Sequence, residues 1–347
     1  MRNAAGLAVA AFFALTAAAA RADTDVEISH SDGPPSVPSV LQWSLSPGDA
    51  DQPGTVELGL GYQTPHHSMQ ISHTVMLVAA RGDGPTGAAP NGALQEEIAG
   101  MTPDQFVHAD GTVQFSLHRD AGDFRCDGSV RQGQGAGTCV YAPNPQFADG
   151  LRARGVKGGV DAWSQFELAM SDMGYAYLDE LKREHYATPD AALLVKASEH
   201  GANLRQLTAM DAAGYRFHDV AQFIELRDHG VSARYLGELG GYGLHAVPAE
   251  ELVALRDHGV SSSYLEGLTT AGYAHLKPGE LTELRDHGVS SSYIAELKSE
   301  GYETLATADL VKLKDHGVTI GFIRKANAGG PRLTPDELIH LRETGTR

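Results

Sequence analysis

Leu226-Arg-Asp-His-Gly-Val231 returns as Leu255-Arg-Asp-His-Gly-Val260, as Leu284-Arg-Asp-His-Gly-Val289 and, with one change, as Leu313-Lys-Asp-His-Gly-Val318, each time 29 residues further on. A weaker copy, Ala197-Ser-Glu-His-Gly-Ala202, stands one interval upstream. The pattern drifts at both ends: the copy around Met170 has lost its His-Gly, and Leu341-Arg-Glu-Thr-Gly345 arrives one residue early. Self-similarity at a fixed period of this size marks a stack of supersecondary units rather than one globular core.

Each column of the repeat has a physical task. His200, His229, His258, His287 and His316 precede a glycine suited to the left-handed position that ends a helix, so these histidines are read as helix caps. A histidine in the last turn is also favoured by the helix dipole. Two residues after that glycine come Asn203, Ser232, Ser261, Ser290 and Thr319, all good N-caps for a second helix. The second helix carries an aromatic column, Tyr177, Tyr235, Tyr264, Tyr293 and Phe322, interrupted by Gln206, beside an aliphatic one running from Leu178 to Ile323. A second glycine at 214, 243, 272 and 301 ends it. Helices of about ten residues with two or three apolar positions do not stand alone, so the repeats must stack.

Upstream, from about Leu41 to Phe147, short alternating runs such as Val56-Glu-Leu-Gly-Leu60 and Val113-Gln-Phe-Ser-Leu117 are separated by Gly, Pro, Asn and Asp. That is the signature of a small, mostly antiparallel β domain. A short helix is expected within Leu94–Phe106. The stretch Gly122–Tyr141 reads as a hairpin: with Gln132-Gly133 as a two-residue turn, counting outward sets Cys126 opposite Cys139 in a non-hydrogen-bonded pair. A cross-strand disulfide is geometrically allowed there, the alternative being two unpaired, half-buried thiols. The expected fold is therefore α+β and multidomain, a small antiparallel β domain followed by an α-solenoid of two-helix repeats. Its parts are a β domain at 39–150 with hairpin 122–141, a glycine-rich junction at 151–165 and helical repeats at 166–347.

Ahead of these, Arg2, an apolar stretch from Gly6 to Ala20 and the A-x-A arrangement of Ala20 and Ala22 predict a secretory signal peptide at 1–22. Residues 23–38 are polar and proline-rich and read as a flexible linker. The apolar run is too short for a membrane anchor, and no later run is long enough to span a bilayer. Cleavage removes two of the 27 basic residues and none of the 44 acidic ones, taking the formal charge from −17 to −19. Such a chain repels nucleic acid and anionic lipid. An even pair of cysteines suits an oxidising compartment, so a periplasmic or secreted location is expected.

Catalytic signals are sparse. There is no His-Glu-x-x-His, Gly-x-Ser-x-Gly, Ser-x-x-Lys or Walker loop, and no cofactor is implied. His66, His67 and His73, with His108 and His118, are weak metal-ligand candidates without ligand spacing. Gly133-x-Gly-x-Gly137 falls in a hairpin and serves close strand approach rather than phosphate binding. Arg81-Gly-Asp83 is a chance match to an adhesion motif. The repeated Asp-His could bind metal or move protons, but histidines recurring once per helix layer, 8–10 Å apart, are too distant to share one ion.

The repeat Glu-Leu-x-x-Leu-Arg-Asp-His-Gly-Val-Ser-x-x-Tyr-Leu-x-x-Leu-x-x-x-Gly-Tyr resembles repeats in bacterial exported proteins. It is also similar to C-terminal extensions of membrane metallopeptidases related to beta-lactam sensors. The hairpin from Arg119 to Pro145 resembles a segment that precedes such repeats, so the similarity covers about residues 113–347. The peptidase zinc motif and membrane helices are missing, and no catalytic residue carries over. The resemblance implies an extracytoplasmic sensing or interaction module. The function expected is a non-enzymatic binding or scaffold protein with a protein or peptide partner in the cell envelope. The alternatives are a cell-envelope enzyme with its site in the β domain, and a pH or metal sensor using the repeated Asp-His.

The exported product is expected to begin at Asp23. An intact mass that still includes the first 22 residues on a soluble, exported protein would overturn this.

Overall fold

The computed structural model describes residues 27–29, 36–48, 55–63, 68–78, 97–99, 101–108 and 110–346 of the 347-residue chain. The leader at 1–22, most of the 23–38 stretch, His66, His67 and the loop holding Arg81-Gly-Asp83 lie outside these residues.

Among the described residues eight strands make one sheet: β1 (Glu27–Ser29), β2 (Leu41–Pro47), β3 (Thr55–Gln63), β4 (Ser68–Val78), β5 (Glu97–Ala99), β6 (Gly111–Arg119), β7 (Gly122–Arg131) and β8 (Gln134–Pro143). Their order is β1-β4-β3-β2-β8-β7-β6-β5, and β5 also pairs with β4, so seven strands close into a ring. All pairings are antiparallel except β4–β5. Closure follows from short strands with one apolar face: β2 and β3 alternate buried and accessible positions, sending Leu41, Trp43, Leu45, Leu58 and Leu60 inward to fill the ring.

One detail departs from the sequence reading and another refines it. Glu27–Ser29, inside the stretch read as linker, adds a strand to β4. The short helix expected within Leu94–Phe106 is α1 (Pro103–His108), which runs two residues past that segment, while Glu97–Ala99 in the same segment forms β5. Pro103 suits the first position of α1, where its missing N–H costs nothing, and fully buried Ile98 helps close the ring.

The hairpin has the expected register. Arg131 opposes Gln134 and Cys126 opposes Cys139, with Gln132 (φ 50°) and Gly133 (φ 74°) both in the left-handed region of a tight turn. The cysteines are bridged, their Cα atoms 4.0 Å apart, and both are buried in the ring. Gly135 and Gly137 make room for an indole. A Cβ at either would stand 2.9 Å or 2.7 Å from Trp43, whose Nε1 donates to the Asp127 carbonyl at 3.1 Å.

After α2 (Phe147–Ala153) the chain becomes a two-row stack. One row is α3 (Ala162–Met170), α5 (Ala191–Glu199), α7 (Val220–Asp228), α9 (Ala249–Asp257), α11 (Pro278–Asp286), α13 (Thr307–Asp315) and α15 (Pro335–Thr344). The other is α4 (Tyr175–Arg183), α6 (Leu204–Ala212), α8 (Ala233–Gly241), α10 (Ser262–Thr270), α12 (Ser291–Ser299) and α14 (Ile320–Asn327). Each helix packs on the next of its own row, as in an α-solenoid. No helix among the described residues is long and apolar enough to cross a membrane.

Local chemistry sets these short helices. Asn203, Ser232, Ser261, Ser290 and Thr319 each accept a hydrogen bond from the N–H three residues on, at 3.1–3.3 Å. At the other end of α7, Gly230 (φ 69°) lets its N–H reach the Arg227 carbonyl at 2.9 Å and Val231 N–H reach Leu226 at 2.8 Å. This paired closure, with Val231 and Leu226 both buried, recurs at Val260, Val289 and Val318.

The ring supplies the first layer with what its own sequence lacks. Gly174, at the N-cap of α4, has no side chain to offer, and Asp120 in the β6–β7 turn accepts the Tyr175 N–H at 2.6 Å instead. Its neighbour Arg119 donates through Nη1 to the carbonyls of Ala169 (2.6 Å) and Met170 (2.5 Å) at the end of α3. Gln165 of α3 reaches back to the carbonyls of Ala121 and Asn144. Beside the barrel, the ring thus caps both helices of the first repeat.

His185 (φ 63°) occupies the position that Gly214, Gly243, Gly272 and Gly301 hold in later layers. A side chain in the left-handed region costs about 1 kcal/mol. His185→Gly should therefore raise the denaturation midpoint by an equivalent amount; an unchanged or lower midpoint in chemical denaturation would contradict the strain.

Candidate functional site

The repeat motif is a set of bonds between layers. The Nδ1 of His200 meets Asp228 at 2.5 Å, His229 meets Asp257 at 2.7 Å, His258 meets Asp286, His287 meets Asp315 at 2.6 Å, and His316 meets Glu343 at 2.7 Å. The histidines stand at the C-caps of α5, α7, α9, α11 and α13, but their rings reach the carboxylate one layer further on, not the aspartate beside them in sequence. A row of five rungs results, partly open to solvent along one edge of the stack.

The residue before each aspartate reaches back in the same direction. Arg256 lies over the Tyr235 ring (4.7 Å), Arg285 over Tyr264 (4.9 Å), Lys314 over Tyr293 (4.9 Å) and Arg342 over Phe322 (5.7 Å). The tyrosine hydroxyls donate forward, to the carbonyls of Val260 (2.8 Å), Val289 (2.9 Å) and Val318 (2.7 Å). Burial pushes all three phenols up to about 12, so they remain proton donors throughout the physiological range. One six-residue motif therefore makes a cation–π contact, an ion pair and a carbonyl acceptor for the layer behind it.

The weak metal candidates are not gathered by the fold among the described residues. His73 sits in β4 opposite Leu58. His108 pairs with Asp104 at 3.7 Å, and His118 with Asp123 at 3.2 Å, both exposed on the barrel. Three other acids do converge: Glu180, Glu184 and Asp211 bring ligand-type oxygens within 4.8 Å of one another. They are cross-braced by Arg183 and Arg216, which reach Glu184 at 2.6 and 2.7 Å, so the cluster acts as an ion-pair lock between α4 and α6. Sequence reading missed it because its members come from two layers and the connecting loop.

A second group missed in the sequence sits where α3 meets the barrel. Tyr62 of β3, Tyr141 of β8, Trp163 and Phe166 form an aromatic cluster with ring centroids 5.3–5.8 Å apart. Glu167, 6% exposed, is buried beside it. Burial, with Glu199 and Asp161 adding to it, raises its carboxyl to about 7, against a lowering hydrogen bond from Trp163. Glu167 in turn adds to the effect of burial in raising the Tyr62 phenol. A carboxyl held near neutrality among aromatic rings can exchange a proton in the range where ordinary carboxylates are fully ionised. No family model, curated protein or solved structure matches the chain.

Because the folded-state value of Glu167 lies above its usual one, the folded protein holds a proton that the unfolded chain releases between about pH 4.5 and 7. Stability is lost as pH rises through that window. Glu167→Gln should match the parent near pH 5 and exceed it at pH 8 by roughly 1–3 kcal/mol. Parallel stability–pH curves for the two proteins would show that Glu167 is ionised when buried.

Proposed function

We propose that this protein is a non-enzymatic extracytoplasmic scaffold whose helical stack binds a protein or peptide partner of the cell envelope. The observation that carries this reading is the division of labour within each repeat. The Arg, Asp, His, Gly, Val and Tyr columns are all engaged between layers or in closing helices. The first turns of the second-row helices, by contrast, are not held to one pattern: Ala233-Arg234 and Ile320-Gly321 stand where two central layers share a Ser-Ser pair, Ser262-Ser263 and Ser291-Ser292, and the second residue of each pair is exposed. A constant frame carrying varied exposed positions is how stacked repeats recognise extended partners. The acidic balance disfavours nucleic acid and anionic membranes as partners. The buried Cys126–Cys139 bridge supports an oxidising compartment.

The rival reading, a cell-envelope enzyme working at the β domain, has one observation in its favour: the Glu167 carboxyl near 7 against the barrel.

Deleting residues 255–283 removes one whole period and lets each remaining layer meet an equivalent neighbour, so the product should fold. The scaffold reading expects that deletion to weaken capture of partners from an envelope extract, while any activity housed at the barrel persists. A folded deletion variant that captures every partner as well as the parent would refute a binding role for the stack.

A further inference from the structure

We propose that the row of histidine–carboxylate rungs is an acid-tightened clasp that stiffens the solenoid as the surrounding pH falls. This deepens the scaffold reading by adding regulation of the same surface, and it rests on that reading only for its purpose.

The geometry is serial. Each rung joins the C-cap of one first-row helix to the last turn or so of the next, and five rungs link α5 to α15 without a gap. A neutral histidine can already donate through Nδ1, but a protonated one makes a charge-assisted bond to the same oxygen, which is roughly twice as strong. Of the repeated links between these layers, the cations over the aromatic rings are arginine and lysine and the tyrosine hydroxyls are buried donors, and neither titrates in the same range. Among these repeated links, protonation therefore acts on the histidine row.

At two of the rungs the surrounding charges favour the protonated ring. His229 faces Asp257 from α9, with Glu225 and Asp228 from its own helix, and its hydrogen bond to Asp257 is the largest cause holding it above the usual histidine value. His287 is raised in the same way by Asp315 of α13, then by Glu283 and Asp286. The opposing cations come from the neighbouring helices. Arg256 lies against Gly230, Lys314 approaches Gly288 and Arg342 approaches Gly317, while Arg285 lies against Gly259 and donates to the His258 carbonyl at 3.2 Å. Each of these cations is drawn over the aromatic ring of the layer behind.

The sign follows. A histidine whose folded value is raised contributes stability that is fully present below about 6.5 and is lost as pH rises through the folded value. The clasp is therefore tighter on the acid side of about pH 6.5 than above it. Glu167 shifts stability in the same direction, and its effect has to be removed before the rungs are read.

The test uses the full-length protein in a Glu167→Gln background. Backbone hydrogen exchange in α7, α9, α11 and α13, corrected for the intrinsic pH dependence of exchange, should show opening several-fold rarer at pH 5.5 than at pH 7.5. His229→Gln with His287→Gln should flatten that difference. Should the double variant fold poorly, the histidine titration by nuclear magnetic resonance decides: His229 should titrate above 6.5 and fall back toward it in Asp257→Asn. A parent-like pH response in the double variant, or a His229 midpoint that Asp257→Asn leaves in place, would overturn the clasp. Neither result depends on partner capture, so failure here is distinguishable from failure of the scaffold reading.

Discussion

A nine-residue helix leaves almost as many backbone groups unbonded at its ends as it has residues, because four N–H and four C=O groups lack partners within it. Most of the stack is built from helices of that length, and the rest of the architecture answers the resulting demand. Side-chain caps take the N-termini, glycines in the left-handed region fold the C-termini back on themselves, and tyrosine hydroxyls bond the valine carbonyls just beyond the first-row helices. The first layer has no preceding layer to complete it. Arg119 and Asp120, offered by a tight turn of the barrel, do so instead.

This makes the barrel and the stack mechanically continuous. The apolar core runs without a break from the ring interior through Phe166 and Tyr177 into the successive layers. The disulfide and the Trp43 seat hold the β7–β8 hairpin, and β7 begins directly after the turn that carries the two capping side chains. A disturbance of the hairpin is therefore transmitted to α3 and α4 through Arg119 and Asp120.

Titrating groups occupy two places in this arrangement. Glu167 lies at the joint, buried among rings, and the histidine rungs lie along one edge of the stack, close to solvent. Burial raises the first; paired carboxylates raise His229 and His287. Although the causes differ, both favour proton uptake by the folded state, so the joint and the edge respond to acid in the same sense.

The amino-acid order by itself determined the parts that depend on neighbours along the chain. The 29-residue period, the Ser and Asn caps, the glycines after each histidine and the Cys126–Cys139 register are all set by spacings of a few residues, where backbone geometry leaves little choice. Tertiary structure decided what crosses between layers. Asp228 and His229 are adjacent in sequence, yet the bonded pairs are His200 with Asp228 and His229 with Asp257, because neighbouring side chains at a helix end diverge while those one layer apart converge. The same holds for Glu167, whose apolar surroundings come from β3, β8 and α3, and for Asp120, which caps a helix 55 residues away. Burial and long-range convergence have no period, and only the folded chain displays them.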